Sequence, residues 1–582
     1  MSMVDTGAPL SEKKQGRTIS RFREILPQVL AMGAVNCVVL DMAVTFFLST
    51  LIIADLHDPS KELSLDDTQA SWFGGLPYLC QPVGSIASGF LVTWLGRKRS
   101  LMLITLPYLL SCVLVSTAPS VSVLFIANVV VGMTVGLTEA PLNSYFGEIC
   151  EPEFRSVLAG SASLYYQFGM FLVFLLGSFM HWRTTAAVST VMPILTLLLL
   201  IPVPESPIWL IEQGRRKDAE AALCWLRGWV HPSVVEKELE ELVTYHRTAT
   251  MKPADYTSKF KRNSKEDKPC MQTFDGNKLH ETPEQTSLLT QNGKQSTNGD
   301  LITKETTENT QVTIQRKNSA LALENCPLSE MTLEACEKSK HVSKWSKFVA
   351  SLKLLLEPET LRPLILVFAI FLFSGMGGMM SIKPFMVEVL QRFQSPLDPK
   401  WSSVVVAASG FVGSTFLIAS VRGLGKRILG LSTTAACAVS CLLLGLYASL
   451  VIRPVSDAGE SSNPVRWIPI VLFALLSFAS TAQCQLPWLL VAECFPFRTR
   501  GVAGGLSAAS MYLVAFFASK TYLSTEKSLH LHGTFWFFGV INCICLVYLY
   551  FQLPETEGKS LQEIESLFAR KRRRNLSDES LG

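Results

Sequence analysis

Two ionisable side chains lie inside long apolar stretches of this chain, where charge is rare. Asp41 is near the middle of an apolar run from about Val29 to Ile53, and Lys383 follows the glycine- and methionine-rich segment SGMGGMMSI. Because a charged group is costly in an apolar environment, each residue predicts a functional site by default. Lys383 would bind an anionic group directly or extend its ammonium toward the polar surface. Asp41 would serve a site, or would cap or pair with a neighbouring helix.

The composition places most of the chain in an apolar medium. Of the 582 residues, 48% are apolar and 17% are charged, and the mean hydropathy is +0.30. A soluble chain carries about 25% charged residues. The charges concentrate in the termini and in one central stretch, which leaves two long apolar tracts. This distribution excludes a soluble enzyme, and the small net charge of +4 excludes a nucleic-acid-binding face.

The sequence predicts neither a metal site nor a cofactor. The 14 cysteines contain no CxxC pair, so they support neither a disulfide framework nor zinc binding. The phosphate-binding pattern GxxxxGK[ST] is also missing, which argues against transport driven by ATP. We therefore expect no catalytic residue, no metal and no cofactor.

Twelve apolar runs are predicted to cross the lipid bilayer, six before and six after a polar central segment. Each is long enough to span a hydrocarbon core of about 30 Å as a helix. Helix is the required conformation because lipid satisfies no backbone polar group. Lys and Arg concentrate in alternate short loops and in both termini, which places both termini in the cytosol. The predicted fold class is an all-α membrane protein with 12 transmembrane helices in two six-helix bundles.

The chain divides by composition into six predicted segments. Residues 205–250 contain amphipathic helical patterns, whereas residues 251–344 are polar and hold few aromatic residues. Such a segment cannot bury enough apolar area to offset its ordering entropy, so it is predicted to be disordered and open to a cytosolic partner. The segments are a cytosolic N-terminal tail (1–28), an N-terminal six-helix bundle (29–204), cytosolic amphipathic helices (205–250), a disordered cytosolic insert (251–344), a C-terminal six-helix bundle (345–553) and a cytosolic C-terminal tail (554–582).

Three short charged motifs recur at matching places in the two halves. The motifs of the first half are GRKR at 96–99, EICEPEFR at 148–155 and PESP at 204–207. Those of the second half are GKR at 425–427, ECFPFRTR at 493–500 and PETEGK at 554–559. Repetition of this kind indicates two halves related by an axis along the membrane normal. It is typical of a transporter whose solute path lies between the halves.

With these motifs the chain resembles the sugar porter branch of the major facilitator superfamily. The stretch GLTEAP at 136–141, followed by YFGEI at 145–149, is similar to the insect facilitated trehalose transporters, of which this chain would be a divergent member. The resemblance covers nearly all of residues 25–250 and 345–568. It implies the major facilitator fold and a multi-pass protein of the plasma membrane. It also implies a carrier, not an enzyme, that moves a small polar solute such as trehalose or a hexose by facilitated diffusion with alternating access.

The resemblance assigns a gating role to the repeated charged motifs. Carboxylate–guanidinium pairs would form when the inner side closes and break when it opens. The alternative is that these charges only set the topology and solvate the helix ends. The gating residues are Gly96, Arg97, Lys98, Glu148, Arg155 and Glu205 in the first half, and Gly425, Lys426, Arg427, Glu493, Arg500 and Glu555 in the second.

Several side chains that the family uses to bind sugar are replaced in this chain. Sugar recognition needs neutral donors and acceptors around a stacking aromatic ring. Where the family has two Gln residues and an Asn on the seventh span, we place Ser374, Gly375 and Met380, whereas Trp488 on the tenth span is retained. The candidates for the substrate path are Asp41, Gln167, Ser374, Met380, Lys383, Gln485, Trp488 and Tyr512.

The replaced amides leave two alternatives open. The first is a carrier of a charged or non-sugar solute, proton-coupled through Asp41, because proton-coupled sugar symporters carry an Asp at a similar place. A proton-binding carboxylate needs burial that favours its neutral form. The second alternative is a membrane sensor or scaffold that has lost transport and acts through residues 251–344. In the sugar-carrier interpretation and in both alternatives, we expect the lipid bilayer to surround the chain and nucleic acid not to be a partner.

Overall fold

The computed structural model describes residues 21–57, 63–150, 155–250, 358–451, 464–495 and 499–556, together with Glu563 and Phe568. Every regular element in this part of the chain is helical, which confirms the all-α prediction. The predicted insert at 251–344 lies outside the described residues. So do most of the predicted N-terminal tail and most of the predicted C-terminal tail.

The first half begins with a long helix and ends with a group of short ones. Its helices are α1 (Arg21–Leu56), α2 (Asp67–Leu95), α3 (Arg97–Ser116), α4 (Val121–Ile149), α5 (Arg155–Phe179), α6 (Trp182–Ser189) and α7 (Val191–Leu200). After them come α8 (Pro207–Glu212), α9 (Arg216–Leu226) and α10 (Pro232–Thr250). The last three pack around a small apolar cluster of their own, as the amphipathic patterns predict.

The second half starts with a helix that is broken near its middle. Its elements are α11 (Pro358–Met376), α12 (Met379–Ile382), a 3₁₀ turn (Lys383–Phe385), α13 (Met386–Arg392), α14 (Pro399–Leu424), α15 (Lys426–Leu450), α16 (Ile468–Cys494) and α17 (Arg500–Gln552). The break between α11 and α12 bends the path by 48°. It occurs at Gly378, whose φ of +110° suits glycine and strains other residues.

Nine of the described helices are long and apolar enough to cross a membrane, or ten if the bent pair is one span. Two features explain why this number is below twelve. The 53-residue α17 contains a non-helical residue, His530 (φ +56°), and would form two spans on either side of it. Helix α2 falls outside those nine, yet Ile86, Phe90 and Trp94 are 71–79% exposed along it, as expected for a face against lipid. The count of twelve stays a prediction.

The two halves pack against each other along two helix pairs. Helix α5 of the first half lies along α14 of the second, and α2 lies along α17. The bundle of helices has two ends. We call the end that carries GRKR and GKR the motif end. The opposite end, where α1 finishes at Leu56, is the far end.

Candidate solute path and gates

A carboxylate cluster closes the motif end of the first half. The backbone N–H groups of Arg97 and Lys98 donate to Glu205 Oε1, each at 2.9 Å. The Arg97 guanidinium donates to Glu148 Oε1 at 2.8 and 3.1 Å, and Ser206 Oγ donates to Glu148 Oε2. Glu205 thus places a negative charge at the N-terminus of α3, where free N–H groups and the helix dipole favour it.

The second half repeats this arrangement with equivalent residues. The N–H groups of Lys426 and Arg427 donate to Glu555 at 3.1 and 3.0 Å. Lys426 Nζ donates to both oxygens of Glu493 at 2.7 and 2.8 Å, and Thr556 Oγ1 donates to Glu493 Oε2 at 2.9 Å. A carboxylate therefore caps α15 as Glu205 caps α3, and a second carboxylate binds the buried cation.

Glycine is required where each of these helices begins. Gly96 has φ +93° and Gly425 has φ +76°. A Cβ added at Gly96 would lie 2.7 Å from Glu205 Oε2, and one at Gly425 would lie 2.6 Å from Glu555 Oε2. Both positions therefore combine a backbone conformation that suits glycine with the close approach of a carboxylate.

The four motif-end carboxylates bind the partners described above within their own halves. Glu148 and Glu205 bind their partners in the first half, and Glu493 and Glu555 bind theirs in the second. The side chains of Arg155 and Arg500 lie outside the described part of the chain. The structure therefore assembles ten of the twelve predicted gating residues into two clusters. Whether the clusters gate the path stays a prediction.

Lys383 lies between the halves and points toward aromatic rings of the first half. Its Nζ is 5.6 Å from the ring centroid of Phe47 on α1 and 5.9 Å from that of Tyr166 on α5. Thr50 Oγ1 donates to the Lys383 carbonyl at 3.1 Å, which ties the broken helix to α1. Among the described residues, no carboxylate lies within ion-pair distance of this ammonium. The aromatic faces stabilise the cation and leave it available to an anion.

Asp41 is fully buried inside the first half. Its carboxylate faces Thr196 on α7 and Tyr108 on α3. Within the described part of the chain, neither of its oxygens has a hydrogen bond of regular geometry. The structure does not pair Asp41 with Lys383, so the two predicted ionisable sites are separate.

Other predicted path residues join the halves through neutral contacts. Gln167 Nε2 on α5 donates to Thr481 Oγ1 on α16 at 3.1 Å. The Tyr78 hydroxyl on α2 donates to Met380 Sδ at 3.9 Å. Both contacts cross from the first half to the second in the middle of the bundle. The hydroxyl of Ser374 instead donates to the Phe371 carbonyl of its own helix at 3.3 Å.

The remaining path candidates lie on α16 and α17. Trp488 packs edge-to-face on Phe371, with ring centroids 5.2 Å apart at 71°. Gln485 is half-buried on α16, and Tyr512 is buried on α17. The retained tryptophan therefore packs against the broken helix of the second half.

Sequence reasoning missed a polar chain that supports this break. Asn542 Nδ2 donates to the Gly377 carbonyl at 2.8 Å, and Gln483 Nε2 donates to Asn542 Oδ1 at 3.0 Å. A helix break inside a membrane frees backbone groups that lipid cannot satisfy, so a buried amide must. The paired glycines of SGMGG signal the break, but no local pattern identifies Asn542, 165 residues away, as its partner.

The sequence prediction also missed an ionic cluster at the far end. His57 Nδ1 is 2.7 Å from Glu388 Oε1 of the second half, and His57 Nε2 is 2.7 Å from Asp67 Oδ1 of the first. Lys527 of the second half also binds Asp67, and Lys400 Nζ is 3.3 Å from Asp55 Oδ1. These contacts hold the halves together at the far end. The hydrogen bond to Glu388, aided by Asp67, raises the pKa of His57 to about 9.

The chain matches a known family along both halves. The family described as sugar (and other) transporter matches residues 31–273 and 301–568. The facilitated trehalose transporter Tret1 of Polypedilum vanderplanki is 24% identical, over 93% of this chain and 88% of that protein. Tret1 of Aedes aegypti is also 24% identical, and this chain spans 57% of its length.

A solved structure of low identity shares the fold. The xylose transporter XylE from E. coli, in a partially occluded inward-open conformation, is similar with a TM-score of 0.59 at 15% identity. The match covers 92% of this chain and 99% of that one.

Proposed function

This chain belongs to the sugar (and other) transporter family, within the major facilitator superfamily, and we propose that it carries a sugar across the plasma membrane by facilitated diffusion. Trehalose is the first candidate because the relatives in the comparison are named as trehalose transporters. Alternating access would proceed by rocking of the two halves about the path between them.

One observation carries the proposal: neutral polar groups from both halves meet in the middle of the bundle. Gln167 contacts Thr481, and the hydroxyls of Ser163 and Ser414 lie 2.9 Å apart. Amides and hydroxyls both donate and accept hydrogen bonds, as sugar hydroxyls require. These groups would exchange their contacts with each other for contacts with a sugar as the halves rock.

The proposal is tested by uptake of labelled trehalose and glucose into proteoliposomes at about pH 5.5 and about pH 7.5. Saturable uptake at both pH values is the expected result. Uptake only under a proton gradient would contradict facilitated diffusion and favour coupling through Asp41. No uptake of either sugar by correctly inserted protein would contradict the proposal.

A matched pair of variants connects the uptake to the observed path. Thr481→Val removes the hydroxyl that Gln167 contacts, whereas Thr415→Val removes an exposed hydroxyl that bonds only its own helix at the Phe411 carbonyl. Loss of one hydrogen bond is worth about 1 kcal/mol, or roughly fivefold in affinity. We expect that loss for Thr481→Val and none for Thr415→Val.

A second candidate function is favoured by Lys383. An ammonium that lies between the halves without a carboxylate partner among the described residues would bind a carboxylate or phosphate on the solute. The solute would then be an anionic sugar derivative or another small anion. Competition of glucuronate and of glucose 6-phosphate against trehalose uptake tests this candidate.

Variants of Lys383 decide between the two candidates. Lys383→Met should abolish inhibition by the anions, and Lys383→Arg should retain it. Lys520→Met is the control, because Lys520 also lies over an aromatic ring, at 4.7 Å from Trp72, but at the far end. Equal inhibition of the wild type and of Lys383→Met would remove the anion candidate and leave the neutral sugar.

The orientation in the membrane is part of the proposal. We propose twelve spans, with the motif end and both termini in the cytosol, as the distribution of Lys and Arg predicts. Epitope tags at the two termini should be accessible only after permeabilisation of the cells. A cytosolic partner for residues 251–344 also stays a prediction, which a pull-down with the full chain and with a chain lacking this segment tests.

A further inference from the structure

The imidazole of His57 is held between carboxylates from both halves. Glu388 Oε1 and Asp67 Oδ1 each lie 2.7 Å from one of its two ring nitrogens. A carboxylate only accepts hydrogen bonds, and a neutral imidazole has one N–H and one lone pair. With both carboxylates ionised, two such contacts require both nitrogens to donate, and the ring is then protonated.

Charged groups from five helices, α1, α2, α13, α14 and α17, lie in the cluster that contains His57. Asp67 of α2 is also bound by Lys527 of α17, and Glu388 of α13 lies near Glu526 of α17, which binds Arg392. On its own helix, Asp55 pairs with Lys400 and approaches His181 at 4.0 Å. Lys and Arg keep their charge near neutral pH, so the two histidines are the groups here whose ordinary titration range includes physiological pH, and His57 is the one that contacts carboxylates of both halves.

Glu388 depends on His57 more than Asp67 does. Asp67 has Lys527 as a second cation, whereas the other carboxylate oxygen of Glu388 is buried with no hydrogen-bond partner in the described ranges. Removal of one proton from His57 would leave the lone pair of one ring nitrogen facing a carboxylate oxygen. The contact to Glu388 crosses between the halves, so its loss weakens the far-end closure.

We propose that His57 is a proton-binding site between the two halves, and that binding of a proton there holds the far end closed. The proposal rests on the rocking of the halves that the proposed function requires. When the far end opens, α1 and α13 separate and Glu388 returns to water. The open state therefore binds this proton less tightly, and the proton and the opening of the far end oppose each other.

The sign of the pH dependence follows from the two proton affinities. In the closed state the pKa of His57 is about 9, because Glu388 and Asp67 accept from it. In the open state Glu388 is lost and Asp67 stays, so the pKa of His57 should fall toward the ordinary value of about 6.5. The proton's contribution to closure is complete below about pH 6.5, falls as the pH rises, and is lost above about pH 9. Across this window the open-to-closed ratio should rise by up to the order of 100-fold.

The test is a distance measurement across the far end, made without any solute. Labels are placed at the exposed positions Thr68 of α2 and Gln391 of α13, by a chemistry that spares the native cysteines. Pulsed electron resonance then gives the distance distribution in lipid nanodiscs between about pH 6 and about pH 9.5. A long-distance population that grows with pH is expected, and a distribution that does not change with pH would overturn the proposal.

Variants show whether His57 is the responsible group. His57→Gln should favour the open far end at all pH values and lose the transition. His181→Gln, a control on an exposed histidine at the same end, should keep it. A transition that survives in His57→Gln would overturn the proposal.

If His57→Gln does not fold, the variant Glu388→Gln tests the proposal instead. It leaves the histidine in place and should lower the midpoint of the transition by about one pH unit or more, because the carboxylate across the interface is gone. An unchanged midpoint would overturn the proposal. Since the readout needs no solute, failure of the sugar proposal would leave this result interpretable.

Discussion

The two ends of the bundle carry ionic clusters of similar composition but opposite connectivity. At the motif end, Arg97 binds Glu148 and Lys426 binds Glu493, each within one half. At the far end, His57 binds Glu388 and Lys527 binds Asp67, each across the halves. The motif-end clusters therefore brace each half as a unit, whereas the far-end cluster joins the units. Of these four contacts, the two at the far end would break when the halves rock.

The far end combines a buried contact with an exposed one. The side chains of His57 and Glu388 are 16% and 12% exposed and that of Lys527 is 67% exposed, whereas those of Arg97 and Lys426 at the motif end are 9% and 5% exposed. Removal of one partner from a buried ion pair costs about 3–5 kcal/mol, and an exposed pair contributes about 0–1 kcal/mol. An ion pair within one half can be strong because it stays formed while the halves rock. A gate has to open on every turnover, which limits how strong its contacts can be.

A large loss of stability is expected where glycine admits the capping carboxylate. Gly425→Ala forces a side chain into a backbone conformation that costs about 1–3 kcal/mol and brings its Cβ to 2.6 Å from Glu555. Thermal unfolding should occur several degrees lower. Gly423→Ala, two residues earlier with no atom within 4 Å of its added Cβ, should leave the unfolding temperature nearly unchanged. Equal effects of the two variants would contradict the role of the cap.

Removal of the buried pair in the second half tests whether it braces or gates. Glu493→Gln removes the carboxylate that binds the buried Lys426 ammonium and should lower the stability by up to about 3 kcal/mol. The double variant Lys426→Met/Glu493→Gln should recover part of this loss. The distance distribution across the far end should stay as in the wild type. A shift of that distribution would instead support the gating role predicted for this pair from sequence.

At the far end, Asp67→Asn should lower the midpoint of the pH transition by about one pH unit, because one of the two acceptors of His57 loses its charge. Asp66→Asn is the matched control. Asp66 caps α2 through the N–H of Gln69, at 2.6 Å, and asparagine caps a helix equally well. The control should keep the wild-type midpoint, and an equal shift in both variants would contradict the specific contact.

The smallest effect is expected from the exposed pair. Lys527→Gln removes an interaction worth less than about 1 kcal/mol, so the open-to-closed ratio at neutral pH should rise by less than about fivefold. The change should fade at about 1 M salt, where exposed charges are screened within about 3 Å. A large effect that persists at high salt would show that the far-end pairs are as strong as those of the motif end.

Features that depend on local pattern could be predicted from the sequence. Long apolar runs predict membrane helices, and the all-helical class is confirmed. Repeated motifs identify Glu148, Glu205, Glu493 and Glu555 from the sequence alone, because each motif lies at a helix end whose chemistry is local. Lys383 is identifiable because charge is rare in an apolar run. Its place between Phe47 and Tyr166 could not be predicted, since those rings come from the other half.

The far-end cluster was not predictable for the same reason. His57 is 331 residues from Glu388, and its side chain lies in no apolar run and no repeated motif. Asn542 is likewise remote from the broken helix that it supports. The sequence by itself determined the helical class, the two related halves and the charges that brace each half, because these depend on composition and on short repeated motifs. Only the tertiary structure decided which charges cross between the halves, because those contacts depend on how separately encoded helix ends pack side by side.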